Sequence, residues 1–509
     1  MTAQPTPSHT PRKPYLKVAA FLALYIIVWS ILPAFLASSV ALDVSEGINW
    51  GSEWQWGYYK HPPLSSWVLY SFYQLFGHIG PYLLSQLCVL LTLHLVYRLG
   101  KTVFDQATAI LGSVLTLAVV YYVYPSLEFN HNVAQFPIWA GLSLVFYQAI
   151  TRERLSDWLW LGVLGGLGML TKYSVAFLLI PMALYLLLPS QWHQLKRVGP
   201  WAALALMVAL FAPHVYWLAT HDWLPFSYAS GRSHDVKEGA DFLSRHTSWL
   251  GFFVAQLVAH IPLLALFLIN RKSLFTPNAY RGQLTSVKPN IKLLWYIWVA
   301  PMALLVVLSL VFGIGLRDMW GMPMWALSGL LVASFIKPEF FAIANRRMQR
   351  GLVIWLGIAT ALSMVYVGAG DYLRHKPSRM QWPEQAIADH AAQTWQSYSS
   401  CPLDSVSGDR WLGALIAMNT GFPSQMITGP ASHSPWMTAE RLRTHGTLVV
   451  KESDADIELP LLDKVVSEGE LIKHQGQWQI AWRDGEIAPL IIDWTLYVPK
   501  NCQTAQDTL

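Results

Sequence analysis

This sequence predicts a polytopic α-helical membrane protein with a small α+β domain at its C-terminal end. Of its 509 residues, 54% are hydrophobic and only 13% are charged. Apolar runs of roughly 20 residues, enough to cross a bilayer, recur through the first three quarters. Lys and Arg sit in the connections between those runs and favour one side, which is how a membrane protein sets its orientation. The formal charge of +5 therefore carries no sign of a nucleic-acid partner, and polybasic tracts are absent.

Residues 1–15 are polar and Pro-rich and read as a disordered cytoplasmic tail. A transmembrane domain follows over 16–370. Its first run, about 18–40, comes after Arg12, Lys13 and Lys17 and is long for a signal peptide, so it reads as a retained helix. Later runs fall at about 81–103, 107–125, 131–150, 157–171, 173–189, 198–219, 248–270, 293–313, 320–336 and 351–370, giving about eleven spans. One side collects Arg98/Lys101, Arg152/Arg154, Lys196/Arg197, the Arg271–Lys292 loop and Lys337/Arg346/Arg347/Arg350. The other has Lys60, Lys172, Arg232, Lys237, Arg245 and Arg317. The first set is cytoplasmic by the positive-inside rule. An odd number of spans then leaves residues 371–509 outside, in the periplasm or its equivalent.

Two outer loops are long, 39–80 and 220–247. Within the first, PPLSSWVLYSFYQLFG is apolar but short and reads as an interfacial helix among membrane lipids. From Asp371 onward, alternating runs such as TLVVKE, WQIAW and LIIDWTLYV read as strands. Cys401 and Cys502 both lie there and can pair if the domain sits in an oxidising compartment.

The stretch from Leu42 to Trp67 holds most of the chemistry. It sets Asp43, Glu46, Glu53, Lys60 and His61 among Trp50, Trp54, Trp56, Tyr58 and Tyr59. Carboxylates beside aromatic faces suit a sugar: they bind or deprotonate hydroxyls while rings stack on C–H faces. The plain alternative is an interfacial loop, since Trp and Tyr collect at membrane surfaces. Lys60 and His61 precede a Pro-Pro turn, where cations suit a phosphate or snorkel to headgroups. Asn130, His131 and Asn132 open a span and face a polar cavity or cap the helix. Lys172 and Tyr173 interrupt two apolar runs, and a lysine at a membrane edge is a functional candidate. Arg232 and Arg317 could clamp a phosphate or a sugar carboxylate; Arg317 is followed by Asp318 and Trp320, so a local ion pair is the plain alternative there. Outer-side histidines could hold a metal with Glu46 or Asp222, yet no HExxH or comparable spacing appears. Walker, GxGxxG and nucleophile-elbow motifs are missing, against nucleotide-driven transport and serine hydrolysis.

The stretch DVSEGINWGSEWQWGYYKHPPL, together with GLGMLTKYSVAFLLIP, PHVYWLATHDW and GLRDMWGMPMW, resembles the GT-C glycosyltransferases that use polyprenyl-phosphate sugars. Protein O-mannosyltransferases, lipid A aminoarabinose transferases and rhizobial galacturonosyltransferases belong to that group. Their first outer loop reads roughly DEAYYW…WGYFDHPPL, and the resemblance covers about residues 20–370.

The resemblance implies that Asp43 deprotonates the acceptor and that His61 meets the donor phosphate. Val44 and Lys60 stand where relatives keep acids, and Asn132 where they often keep a second aspartate. It implies a polyprenyl-phosphate-linked sugar as donor and an extracytoplasmic glycan, lipid or protein as acceptor, at the bacterial inner membrane. No cofactor is required, because a lipid phosphate is already a competent leaving group. Glu46, Lys60, His61, His131, Asn132, Lys172, Tyr173, Arg232, Arg317 and Trp320 are the expected substrate-binding set. Many spans around a polar cavity also describe a lipid or glycan flippase. That alternative fits less well with polar residues gathered at the outer ends of helices.

Overall fold

The computed structural model describes residues 13–234, 246–271 and 291–504. Most of the expected tail, the greater part of the 220–247 loop beyond its first helix, and the side chain of Arg232 lie outside the described residues.

Among the described residues, six helices are long and apolar enough to cross a membrane: Lys17–Leu36, Ile79–Val103, His131–Arg152, Val198–Thr220, Ile291–Phe312 and Phe341–Arg374. Three further pairs, Gln106–Ala118 with Val120–Leu127, Tyr173–Leu186 with Pro189–Leu195, and Ser248–Ala259 with Ile261–Ile269, are bent by 88°, 83° and 53°. Counting each bent pair as one span gives nine, and Leu155–Thr171 is a shorter apolar helix.

The count departs from eleven at two expected runs: 157–171 is the shorter helix Leu155–Thr171, and 320–336 is irregular. The run 320–336 is a 3₁₀ stretch, Asp318–Trp325, followed by a seven-residue helix, Ser328–Ser334. Pro323 removes an amide donor from this stretch. The segment still runs the length of its neighbour. Ser248 Oγ, which lies 3.0 Å from Ser309, donates to Ile314 O, while Phe335 meets Trp295 near the other end of the Ile291–Phe312 helix. Met322, Met324, Trp325, Leu327 and Leu330 are all buried. Irregular backbone at membrane depth is tolerated where protein shelters it. Gly329 shows how closely: a Cβ there would stand 2.5 Å from Gly112 O. This run is apolar because it is core.

What the sequence presents as the first outer loop is largely helical. Helix α1 (Lys13–Leu36) is followed by α2 (Leu42–Ser52) and α3 (Leu64–Phe76), the last being the expected short apolar helix. Val44 and Ile48 bury one face of α2 in the membrane core, and Gly51 lets it close on α3, where a Cβ would meet Ser66 O at 2.3 Å.

The C-terminal region is a five-stranded sheet in the order β2 (Ser424–Ile427), β1 (Ser405–Gly408), β3 (Thr447–Glu452), β5 (Leu490–Pro499), β4 (Leu471–Ile480). β1 pairs in parallel with β2 and β3, and β5 runs antiparallel to β3 and β4. Cys401 and Cys502 form a disulfide. The sheet domain rests on the start of α2: Ser39 Oγ donates to Glu384 at 2.7 Å, and Asn49 Nδ2 to Ala414 O at 3.2 Å.

Candidate active site

Helix α2 starts at Leu42, so its first turn carries Asp43 at the positive end of the helix dipole, a favourable place for a carboxylate. Asp43 is exposed, and its backbone N–H donates to Glu128 Oε1 at 3.3 Å. Beside them opens a cavity of about 410 Å³, lined by Leu42, Tyr121, Glu128, Asn132, Asp318 and Arg379 among others.

Glu46 lies one turn further along α2 and is buried, at 6% exposure, with Lys60 at 7%. Lys60 Nζ binds Glu46 Oε1 at 2.6 Å, and the Tyr59 hydroxyl donates to the same oxygen at 3.3 Å. The ammonium also stands over the rings of Tyr59, Trp50 and Tyr228 at 4.9, 5.6 and 5.6 Å. Arg410, from the helix Arg410–Asn419 of the sheet domain, approaches Glu46 to 3.6 Å. Glu46 and Lys60, expected to meet substrate, are thus first of all partners of each other.

His61 and His131 face one another with ring centroids 3.9 Å apart, each near the edge of Trp50. His131 Nε2 is buried without a hydrogen-bond partner. Asn130 takes the capping role for the helix His131–Arg152, accepting from Asn132 N and Val133 N at 2.9 and 3.2 Å. That leaves the Asn132 side chain free to accept from Lys172 Nζ. The carbonyl of Lys172 is held by Gln135 Nε2 at 2.6 Å.

The electrostatics follow from this crowding. Burial pulls the Lys60 ammonium below its usual range, against the opposing pull of Glu46. Burial also holds the His61 imidazole well below the ordinary histidine value, and His131, Lys172 and Lys60 push it the same way. Glu128 moves upward, to about 7, through burial and the charge of Asp43. At neutral pH the His61 ring is uncharged and able both to donate and to accept.

Seven expected residues therefore converge: Asp43, Glu46, Lys60, His61, His131, Asn132 and Lys172. Tyr173 turns elsewhere. Its hydroxyl lies 2.7 Å from His214 Nε2, whose Nδ1 reaches Trp56 O at 2.6 Å, so it braces the first outer segment. Arg317 and Trp320 flank the cavity segment, where Asp318, Met319 and Met322 form the wall. Arg317 is half-buried, and Trp320 stacks on Phe177 with centroids 6.4 Å apart. Among the described residues, the outer-side histidines do not join Glu46 or Asp222 in a set of three that could share an ion. Among the described residues that condition is met by His375, Asp484 and Glu486.

Sequence reasoning passed over Arg410 and Arg379. Arg410 follows Asp409, whose side chain caps its helix through Trp411 N and Leu412 N. A capping acid ahead of an apolar run was a readable helix start, but nothing local points from there to Glu46. Arg379 lines the cavity while stacking over Trp411 and Trp382 at 4.9 and 5.2 Å.

Residues 60–217 match the family described as dolichyl-phosphate-mannose-protein mannosyltransferase. The chain is 26% identical over 205 residues to the lipopolysaccharide core galacturonosyltransferase RgtA of Rhizobium johnstonii, covering 39% of this chain and 40% of that protein. RgtB of the same organism is 25% identical over 376 residues, 68% of this chain and 71% of the relative. The undecaprenyl phosphate-alpha-4-amino-4-deoxy-L-arabinose arabinosyl transferase of Pseudomonas aeruginosa is 30% identical over 173 residues, 32% of this chain and 31% of the relative. With RgtA, the chain thus spans well under two thirds of the relative's length. The solved structure of ArnT from Cupriavidus metallidurans bound to undecaprenyl phosphate superposes with a TM-score of 0.62 at 14% identity, over 94% of this chain and 98% of that one. At that identity the likeness is one of fold.

Proposed function

We propose that this chain, which is similar to GT-C glycosyltransferases in sequence and fold, is an integral-membrane glycosyltransferase moving a sugar from a polyprenyl-phosphate donor to an envelope glycolipid. The observation that carries the reading is the juxtaposition at the cavity. An exposed carboxylate, Asp43, neighbours Glu128, and its charge reaches the Lys172 ammonium. Lys172 in turn acts on two closely approaching, mutually tilted imidazoles, His61 and His131.

In this mechanism Asp43 takes the proton of an acceptor hydroxyl as its oxygen attacks the anomeric carbon. The bond from that carbon to the phosphate oxygen breaks, and polyprenyl phosphate leaves with the electron pair. Attack opposite the leaving group inverts the linkage. Lys172, His61 and the unpartnered His131 Nε2 are placed to stabilise the departing phosphate by charge and hydrogen bonding. Lipid phosphate leaves readily, so the mechanism needs no metal ion. Arg379, which lines the cavity, and Arg317, which precedes its wall residue Asp318 in sequence, are further candidate phosphate or sugar-acid contacts.

The acceptor proposed is the lipid A or core portion of lipopolysaccharide. The names of RgtA, RgtB and the lipid A galacturonosyltransferase RgtD support that class. The site and sheet domain are assigned to the outer side of the inner membrane, supported by the charge asymmetry of the loops and by the Cys401–Cys502 disulfide. The test is incubation of the purified protein with labelled undecaprenyl-phosphate sugars and lipopolysaccharide. Label transferred to lipopolysaccharide supports the reading. Transbilayer movement of the donor without any transfer would instead identify a flippase.

A further inference from the structure

We infer that His375, Asp484 and Glu486 form a divalent-metal site of the zinc class where the last long helix meets the sheet domain. None of the three lines the cavity near Asp43, and the proposed transfer does not use them.

His375 directly follows the helix Phe341–Arg374 and adopts a left-handed backbone, φ 48°. Asp484 and Glu486 sit in the turn between β4 and β5. Both segments are fixed by other partners. Arg483 of that turn binds Asp371 at 2.9 Å, and the Tyr372 hydroxyl donates to Arg483 O at 3.2 Å. The ligand-bearing pieces are therefore held together without an ion.

The donor atoms suit one. His375 Nδ1 lies 3.3 Å from Asp484 Oδ2 and 3.6 Å from Glu486 Oε2, and all three lie within 4.8 Å of one another. Tetrahedral zinc with bonds of about 2.0–2.1 Å separates its ligands by about 3.3–3.4 Å. One imidazole with two carboxylates is a set that zinc accepts, leaving a fourth position for water.

A protonated imidazole between two acids would use the same residues. Asp484 Oδ2 argues for the ion: Asp484 is 4% exposed, and that oxygen is buried and makes no hydrogen bond, although His375 Nδ1 lies 3.3 Å away. A buried carboxylate oxygen left in this state is costly, and a cation in the pocket resolves it.

The test uses the full-length protein without a polyhistidine tag, stripped with chelator, incubated with ZnCl2 and desalted. One zinc retained per chain, with a raised Tm, is expected for the wild type. His375→Ala and Glu486→Gln, both at exposed side chains, should match the wild type when stripped and lose zinc retention and the Tm rise. No zinc on the wild type, or equal retention by His375→Ala, overturns the assignment.

Discussion

Asp43 and Glu46 stand one turn apart on the same helix and have opposite fates. Asp43 is exposed beside a cavity, touching Glu128 only through its backbone. Glu46 is buried and neutralised by Lys60, with Tyr59 and Arg410 closing around it. The difference shows how one short acidic helix divides its labour. The exposed carboxylate beside the cavity is available for proton transfer, and the enclosed one fixes the shape of the segment that presents it. Proximity in sequence says little about role, because the next element in space decides which acid is satisfied.

The contrast can be broken by exchanging the two fates. Asp43→Asn should lose transfer by about 10²–10⁴-fold while leaving Tm unchanged, because it removes a base and no buried partner. Near-normal transfer by that variant removes Asp43 from the base role. Lys60→Met should act the other way. It strands a buried carboxylate and should cost about 3–5 kcal/mol of stability in denaturant or thermal unfolding. Adding Glu46→Met to it should recover most of that loss, and a double variant as weak as the single one would contradict a paired role.

Glu128→Gln sharpens the cavity side. With its carboxyl lifted to about 7, Glu128 gains a proton as the pH falls through that value. It then no longer places a negative charge beside Asp43. Transfer should decline by about tenfold or less below pH 7 in the wild type, and the Gln variant should lack this inflection. Stability carries the same signature with its own sign. A carboxyl raised above its unfolded value stabilises below that value, and the contribution is lost as pH rises through about 7. Glu128→Gln should therefore flatten stability between about pH 4.5 and 7. Arg410→Ala is the smallest change, within about 1 kcal/mol of stability, since its side chain is 40% exposed. A larger loss would make Arg410 part of the buried pair.

The membrane architecture was legible because a span must be apolar along its whole length, and nearly every predicted run is matched by a helix or a bent pair. The stretch 320–336 gave the same signal while being irregular core, since composition does not distinguish lipid contact from burial. The strands TLVVKE and LIIDWTLYV could be read from their make-up, whereas β1 and β2 are four residues each and buried throughout, leaving no alternation to see. The fold gathers Lys60 and His61 of the WGYYKHPPL block into one cluster with Trp50 and His131, and the charge of Asp43 reaches Lys60. The block did not reveal that Lys60 is engaged by Glu46, fourteen positions earlier, or that Arg410 approaches Glu46 from a different domain. Such contacts depend on the fold bringing distant residues together and leave no local pattern.

The irregular, buried segment Asp318–Ser334 also bears on how the chain is assembled. A regular helix carries its own amide partners into lipid and can enter the bilayer alone, whereas this segment must borrow shelter. Gly112 and Leu115, which crowd against Gly329, and the helix Ile291–Phe312 must already be in place when it leaves water. Its insertion is thus coupled to tertiary packing, making it a late step in biogenesis. Bulky substitutions at Gly112 or Gly329 should accordingly leave a chain stalled with this one segment exposed to quality-control proteases.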